Sequence, residues 1–287
     1  MMESQNGNGR LLFSVPIPVM TLPITGSIYD HPKLYDVLFS DMCRSEIRFL
    51  TSISERFGRK NSSAFFEPAC GSGRLLYQLG KLGFEIAGLD LNPLSVAFCN
   101  RRLRRHRIKG SAIVGNMASF SLEDLGRTKK FDIAFNFVSS FLHLTNEIEA
   151  RQHFHAVADV LKPKGVYLLG IHLKPAGKQH CLQERWKMRR GSLTVTSHLK
   201  SLSQDLKKRI ELIEFGVEAA TPKQRYHVVD RFPFRIYSAT QFNKLLTVVH
   251  RFDIIETYSF DYDISRPVPV TADTEDVVFV LRKKPHR

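Results

Sequence analysis

Five short runs, SAFFEPA, FEIAGLD, SAIVG, FDIAFNF and GVYLLGI, are apolar at consecutive positions rather than at every second one. Strands of that kind need cover on both faces, which a parallel sheet between helices provides. Amphipathic helical patterns lie between most of them. Leu75, Leu76 and Leu79 mark the first; Val96, Ala97 and Leu103, behind Asn92 and Pro93, the second; Phe154, Val157, Ala158 and Leu161, ahead of Pro163, another. Strand, helix, strand repetition implies right-handed crossovers, and so an α/β, doubly wound, mostly parallel sheet. An earlier helix is predicted from YDHPKLYDVLF, with Asp30 as its cap, Pro32 in its first turn and Leu34, Val37 and Leu38 on one face.

After Ile171 the alternation stops. SLTVTSHLKSL, KKRIELIEFGVEA and RYHVVDRFPFRIYS read as three antiparallel strands, so residues 172–237 are predicted to form a β insertion, either a substrate lid or a dimer surface. SATQFNKLLTVV returns to helix, with Ser238 and Gln241 at capping-box spacing, and FDIIETYSF and EDVVFVLR close a seven-stranded sheet as an antiparallel pair. Residues 1–28 carry prolines and glycines without periodicity. They are predicted to be a flexible arm or a strap on a single domain spanning 29–287.

The 42 Lys and Arg against 28 Asp and Glu give a net charge of +14, which favours anionic partners: acidic small molecules or nucleic acid. Cys43, Cys70, Cys99 and Cys181 are far apart without a CxxC pair, so neither a zinc site nor a disulfide framework is expected. No apolar run is long enough to span a bilayer, and no secretion signal stands at the start. A cytoplasmic protein with reduced thiols, no membrane partner and no bound metal is the expectation.

In a doubly wound sheet, ligands bind beyond the carboxyl ends of the strands, where the first strand turns into its helix. EPACGSGRLL occupies that place. Gly71 and Gly73 remove side chains that would block a close approach, and Asp90, about twenty residues on, can accept the hydroxyl hydrogens of a ribose. The third glycine of a dinucleotide fingerprint is missing, with Leu76 in its place, and the acid Glu67 precedes the turn. A carboxylate repels pyrophosphate but suits a ligand with an ammonium and a sulfonium, which is S-adenosyl-L-methionine.

FFEPACGSGRLL, AGLDLNP, GNM and FDIAFNFVSSFLHL, in this order and spacing, resemble the class I S-adenosylmethionine-dependent methyltransferases over residues 29–171. The resemblance implies a Rossmann-like fold in which Glu67, Ala69, Cys70, Gly71 and Gly73 shape the methionine pocket, with Tyr35 and Phe137 beside it. By the same likeness Asp90 would hold the ribose, and Leu91, Asn116 and Met117 the adenine, an Asn standing where an Asp is commoner. Asn136, Ser140 and His143, in the loop after the fourth run, would face the acceptor, His143 as a base.

The pair of serines followed by a histidine resembles the small-molecule N-methyltransferases that act on amino sugars and glycine-type amines. A small-molecule acceptor, an amine or hydroxyl, is therefore expected. Two other classes stay open: an RNA or protein methyltransferase docked through its basic surface, and a cofactor-binding scaffold without turnover. RRLRRHRIK reads as a solvated helix end. Lys187, Arg189 and Arg190, clustered in the insertion, are expected to favour an acidic or phosphorylated acceptor.

Overall fold

The computed structural model describes residues 21–23, 26–58, 64–175 and 183–285. The chain enters through β1 (Thr21–Pro23), a 3-10 turn at Ile28–Asp30, α1 (Pro32–Leu38) and α2 (Cys43–Phe57). Alternation then sets in as β2 (Ala64–Pro68), α3 (Arg74–Lys81), β3 (Glu85–Asp90), α4 (Pro93–Arg105), β4 (Gly110–Val114), β5 (Phe131–Asn136), α5 (Glu147–Val160) and β6 (Leu161–His172). Four strands follow: β7 (Gln183–Arg190), β8 (Leu193–Asp205), β9 (Ile210–Ala220) and β10 (Arg225–Arg235). α6 (Ala239–Val249), β11 (Phe252–Tyr258) and β12 (Asp276–Lys283) complete the chain.

The main sheet has seven strands in the order β11-β12-β6-β5-β2-β3-β4, with only β12 running against the others. β2 and β5 are buried along their whole length, as consecutive apolar residues require. From β2 the chain moves outward to β3 and β4 and then returns to the other side as β5, which puts the switch point between β2 and β5. Loops diverge at that point and open a crevice at the strand ends. Asn92 caps α4 by accepting the Leu94 and Ser95 N–H groups, and Ser238 and Gln241 form the predicted capping box of α6.

The insertion forms its own sheet in the order β1-β10-β9-β8-β7. It has four antiparallel strands where three were expected. QERWKMRR carries four Lys or Arg and resembles a basic loop, yet Trp186 and Met188 alternate with charges and pack on the inner face of the sheet. The expected N-terminal arm falls largely outside the described residues. Its described part is a strap: β1 pairs in parallel with β10, and Ser27 hydrogen-bonds Asp230 of the same strand. Asp30 does not cap α1. It closes a capping box with Ser27 one turn earlier and accepts the Asn92 side-chain amide, while α1 begins at Pro32 without a side-chain cap.

Candidate active site

A cavity of about 540 Å3 lies at the carboxyl ends of β2 and β3. Its floor is the turn from β2 to α3. Ala69, Gly71 and Gly73 all have positive φ there, and a Cβ on Gly71 would meet nothing within 4 Å, so the backbone is bare toward the cavity. Gly73 plays a different part from the one expected. It does not line the cavity; a Cβ there would collide with Cys99 Sγ at 2.2 Å, so this glycine lets α3 pack against α4.

Asp90 ends β3 beside the turn, its Oδ2 accepting the Gly71 N–H at 2.7 Å and Oδ1 the Asn92 N–H at 2.9 Å. Burial raises its pKa while those two donors lower it. Lone pairs remain for ribose hydroxyls. Glu67, from the last turns of β2, is buried, and its Oε2 has no hydrogen-bond partner. Burial pushes its carboxyl well above the usual range, Arg74 opposing and Glu46 adding to the effect. An orphaned carboxylate against a cavity calls for a positively charged partner from the ligand. Arg74, forked onto Glu46 with its second nitrogen at 2.7 Å, lines the same end and could meet a ligand carboxylate.

Leu91, Asn116 and Met117, the residues expected to hold an adenine, line the same cavity. Leu91 is 73% exposed and forms the rim. Asn116 Oδ1 already accepts the Ala118 N–H at 2.8 Å, which leaves its second lone pair for an exocyclic amine. Met117 is held from behind by His153, whose Nδ1 sits 2.8 Å from the Met117 carbonyl and whose Nε2 sits 2.7 Å from the Tyr167 hydroxyl. This buried relay was not legible in the sequence, because a histidine on the apolar face of α5 carries no mark of its partner on β6.

Among the predicted catalytic residues, Asn136 is not in the cavity. It is buried, and its Nδ2 donates to the Pro68 carbonyl at 2.8 Å, tying the ends of β5 and β2. Ser140 lines the cavity with its hydroxyl turned to the Phe137 carbonyl at 3.3 Å. His143 lines it too, between Phe232 and Phe234 of the insertion and with Nε2 2.9 Å from the Tyr29 hydroxyl. Burial lowers its pKa to about 4, so the ring is neutral near pH 7. A neutral imidazole with so acidic a conjugate acid is a poor proton acceptor for an alkylammonium. What the structure shows His143 doing is holding the Tyr29 hydroxyl.

Cys70 is buried on the cavity wall, its thiol against that of Cys99, and Phe137 and Tyr35 both line the cavity as expected. Burial pushes the Tyr35 hydroxyl up to about 12. Besides Arg74 and His153, Tyr29 and Asp36 were missed. Tyr29 lies on a 3-10 turn too short to show periodicity, and Asp36 lies on the buried face of α1. Asp36 collects Ser72 of the cofactor turn at 3.0 Å, Arg102 of α4 at 2.6 Å and Arg190 of β7 at 2.6 Å. Burial would raise its pKa, but the two guanidiniums overcome it and hold the carboxyl below its ordinary value.

A second cavity of about 580 Å3 opens beside the first, between the insertion sheet and the ends of β5 and β6. Tyr29, Tyr35, Val138 and Phe234 line both. Of the three basic residues expected to select an acidic acceptor, Lys187 and Arg189 are exposed and line neither cavity, and Arg190 is committed to Asp36. The sequence placed them in one cluster, but the strand's alternation turns Lys187 and Arg189 away from its inner face and leaves Arg190 on the side of Trp186 and Met188. Among the described residues no group of side chains suits a metal ion, and no helix is long and apolar enough to cross a membrane.

The sheet order, the bare turn at the first strand end and the carboxylate at the second define the class I S-adenosylmethionine-dependent methyltransferase architecture. Residues 66–165 match the model of the methyltransferase-domain family. A provisionally named methyltransferase of Geobacillus sp. (strain WCH70) is 27% identical over 124 residues, 43% of this chain; the match spans about half of that relative, 48% of its length. An S-adenosylmethionine-dependent methyltransferase from Clostridium acetobutylicum superposes with a TM-score of 0.70 at 15% identity, covering 89% of this chain and 99% of the other. DesVI of Streptomyces venezuelae gives 0.69 at 18% identity, over 90% and 99%. The sugar N-methyltransferase KedS8 from a Streptoalloteichus species gives 0.65 at 18% identity, over 91% and 95%. At such identities the likeness to the solved structures is one of fold.

Proposed function

We propose that the chain transfers a methyl group to an amine of a small molecule seated in the second cavity. The observation that carries this reading is the meeting of the two cavities at Tyr29, Tyr35, Val138 and Phe234. S-adenosylmethionine, when bound, supplies a methyl group on positively charged sulfur, open to in-line displacement. The protein then has to align the acceptor and exclude water. Tyr29, held by His143, and Tyr35 narrow the passage between the cavities, and the insertion roofs the acceptor side. The acceptor nitrogen attacks as the free amine, so it first gives a proton to water. The sugar N-methyltransferase among the structural neighbours supports an amine rather than a hydroxyl, and an acceptor cavity of about 580 Å3, the scale of a small-ligand site, supports a small molecule rather than RNA or protein. A reducing, cytoplasmic setting agrees with the free thiols of Cys43, Cys70 and Cys99. Mass spectrometry of a pooled-metabolite incubation tests the proposal. The expected result is an amine gaining one methyl group together with stoichiometric S-adenosylhomocysteine; methylation only of added RNA or protein would overturn it.

A further inference from the structure

We infer that the second cavity selects one class of acceptor: a non-phosphorylated amine that arrives as a cation, carries a hydrophobic ring and presents a neutral oxygen to Arg235. This deepens the methyltransferase reading above and rests on it.

The ring is indicated by the walls. Phe39, Trp186, Phe215, Phe232, Phe260 and Tyr262 line the chamber, with Trp186 centred 6.0 Å from Phe39 and 5.8 Å from Phe215. Such faces favour flat or apolar bodies and attract cations. The sign of the charge follows from which side chains already have partners. Lys174 is 2.5 Å from Glu211, and His172 is paired with Asp276. Arg235 donates to the Thr145 carbonyl at 2.6 Å and to Glu147 at 3.3 Å. Each cation among the described residues of the chamber already faces a carboxylate, so its charge is met before any ligand arrives. The acids differ. Asp41 and Glu184, both exposed on the chamber lining, make no hydrogen bond or ion pair among the described residues. In a chain of net charge +14 the chamber inverts the overall sign, and its field draws in ammonium groups.

The neutral oxygen is indicated independently. Arg235 is 6% exposed, lines the chamber, and its Nε–H is buried without a partner. A donor in that state is satisfied by a hydroxyl, ether or carbonyl oxygen of the ligand. The four residues shared by the two cavities are uncharged, so a nitrogen that reaches them is desolvated toward its neutral form, and its proton leaves through the acidic chamber to water. The new C–N bond then forms as the C–S bond breaks, the electron pair of that bond staying on sulfur.

Trp186 is the chain's one tryptophan, so its fluorescence reports occupancy of this chamber. The test titrates the whole chain, saturated with S-adenosylhomocysteine, with tyramine, tyrosine, p-cresol and glucosamine 6-phosphate. Tyramine has the ammonium, the ring and the oxygen; tyrosine adds a carboxylate; p-cresol lacks the amine. Tyramine is expected to bind at least about tenfold more tightly than the other three. Glu184→Gln should weaken tyramine several-fold, and Glu184→Lys should move the preference toward tyrosine, both with S-adenosylhomocysteine affinity by calorimetry unchanged. Equal binding of tyramine and p-cresol, preference for tyrosine or the sugar phosphate, or no response to tyramine would each overturn the inference. Absence of S-adenosylhomocysteine binding in the calorimeter would instead bring down the methyltransferase reading itself.

Discussion

The two cavities share a wall but are built on opposite principles. The first is floored by backbone, a left-handed turn at Ala69–Gly73, a strand end at Asp90 and the loop at Asn116, with apolar and aromatic side chains such as Tyr35, Met117 and Phe137 completing its walls. The second is made almost wholly by side chains from α1, β6, the insertion strands and the segments around Phe260 and Glu275. A backbone-built pocket serves one ligand whatever the surrounding sequence does. A side-chain-built pocket is respecified by substitution at its walls, which suits a fold that keeps its methyl donor and changes its acceptor.

Five experiments break or sharpen this contrast. The largest effect is expected for Asp90→Ala, which removes charge-assisted hydrogen bonds to the ribose and also frees Gly71; S-adenosylhomocysteine should bind about a hundredfold more weakly in calorimetry, with tyramine titration of Trp186 little affected. The two glycines of the turn should separate next. Gly73→Ala drives a methyl group into Cys99 and should lower the melting temperature by roughly 5 °C or more, whereas Gly71→Ala meets no protein atom, adds only the backbone strain of its positive φ, and should block the cofactor more than it destabilises the fold.

Glu67 supplies a pH test. Its pKa is raised by burial, so the ligand-free protein holds a proton there at pH values where an ordinary carboxyl is ionised. A positively charged ligand favours the ionised form, so binding should release a proton, and affinity should rise with pH until the ligand-free pKa is passed. Calorimetry in two buffers of different ionisation heat measures this, and Glu67→Gln should abolish it. A smaller effect is expected from His143→Ala: turnover should fall severalfold through the loss of Tyr29's anchor, by the same factor from pH 6.5 to 9, because a ring with a pKa of about 4 does not titrate there. A loss that vanishes at high pH would restore His143 as a base. Smallest of all, Lys187→Gln with Arg189→Gln should leave both the cofactor affinity and the acceptor Michaelis constant within twofold, since neither residue lines a cavity.

The first cavity was readable because its determinants are local. A buried parallel strand shows as consecutive apolar residues, and the turn and Asp90 follow at fixed offsets, so the residues expected around the cofactor, Gly73 excepted, line one cavity. The second was not, because its determinants are pairings across long stretches of chain. Nothing in PKLYDVL shows that Asp36 will meet Arg102 and Arg190, and nothing in NFVSSFLH shows that Asn136 is consumed by Pro68. β7 did carry a signal, Trp186 and Met188 alternating with Lys187 and Arg189, but the density of charge masked it. The alternation of Phe232 and Phe234 was a similar clue to the inner face of β10.

The 3-10 turn at Ile28–Asp30 bears on timing. It forms part of the cofactor cavity wall and is fastened on two sides: Ser27 to Asp230 of the insertion, Asp30 to Asn92 at 2.6 Å, and the Tyr29 carbonyl to the Ser95 hydroxyl at 3.0 Å on α4. A nucleoside that enters or departs past this wall has to part those fastenings first, so both rates carry their opening cost while the equilibrium between them does not. Residence time and affinity are thereby separable quantities in this protein. Ser95→Ala, which cuts one fastening without touching Asp90, would shorten the dwell of the spent cofactor more than it changes the equilibrium.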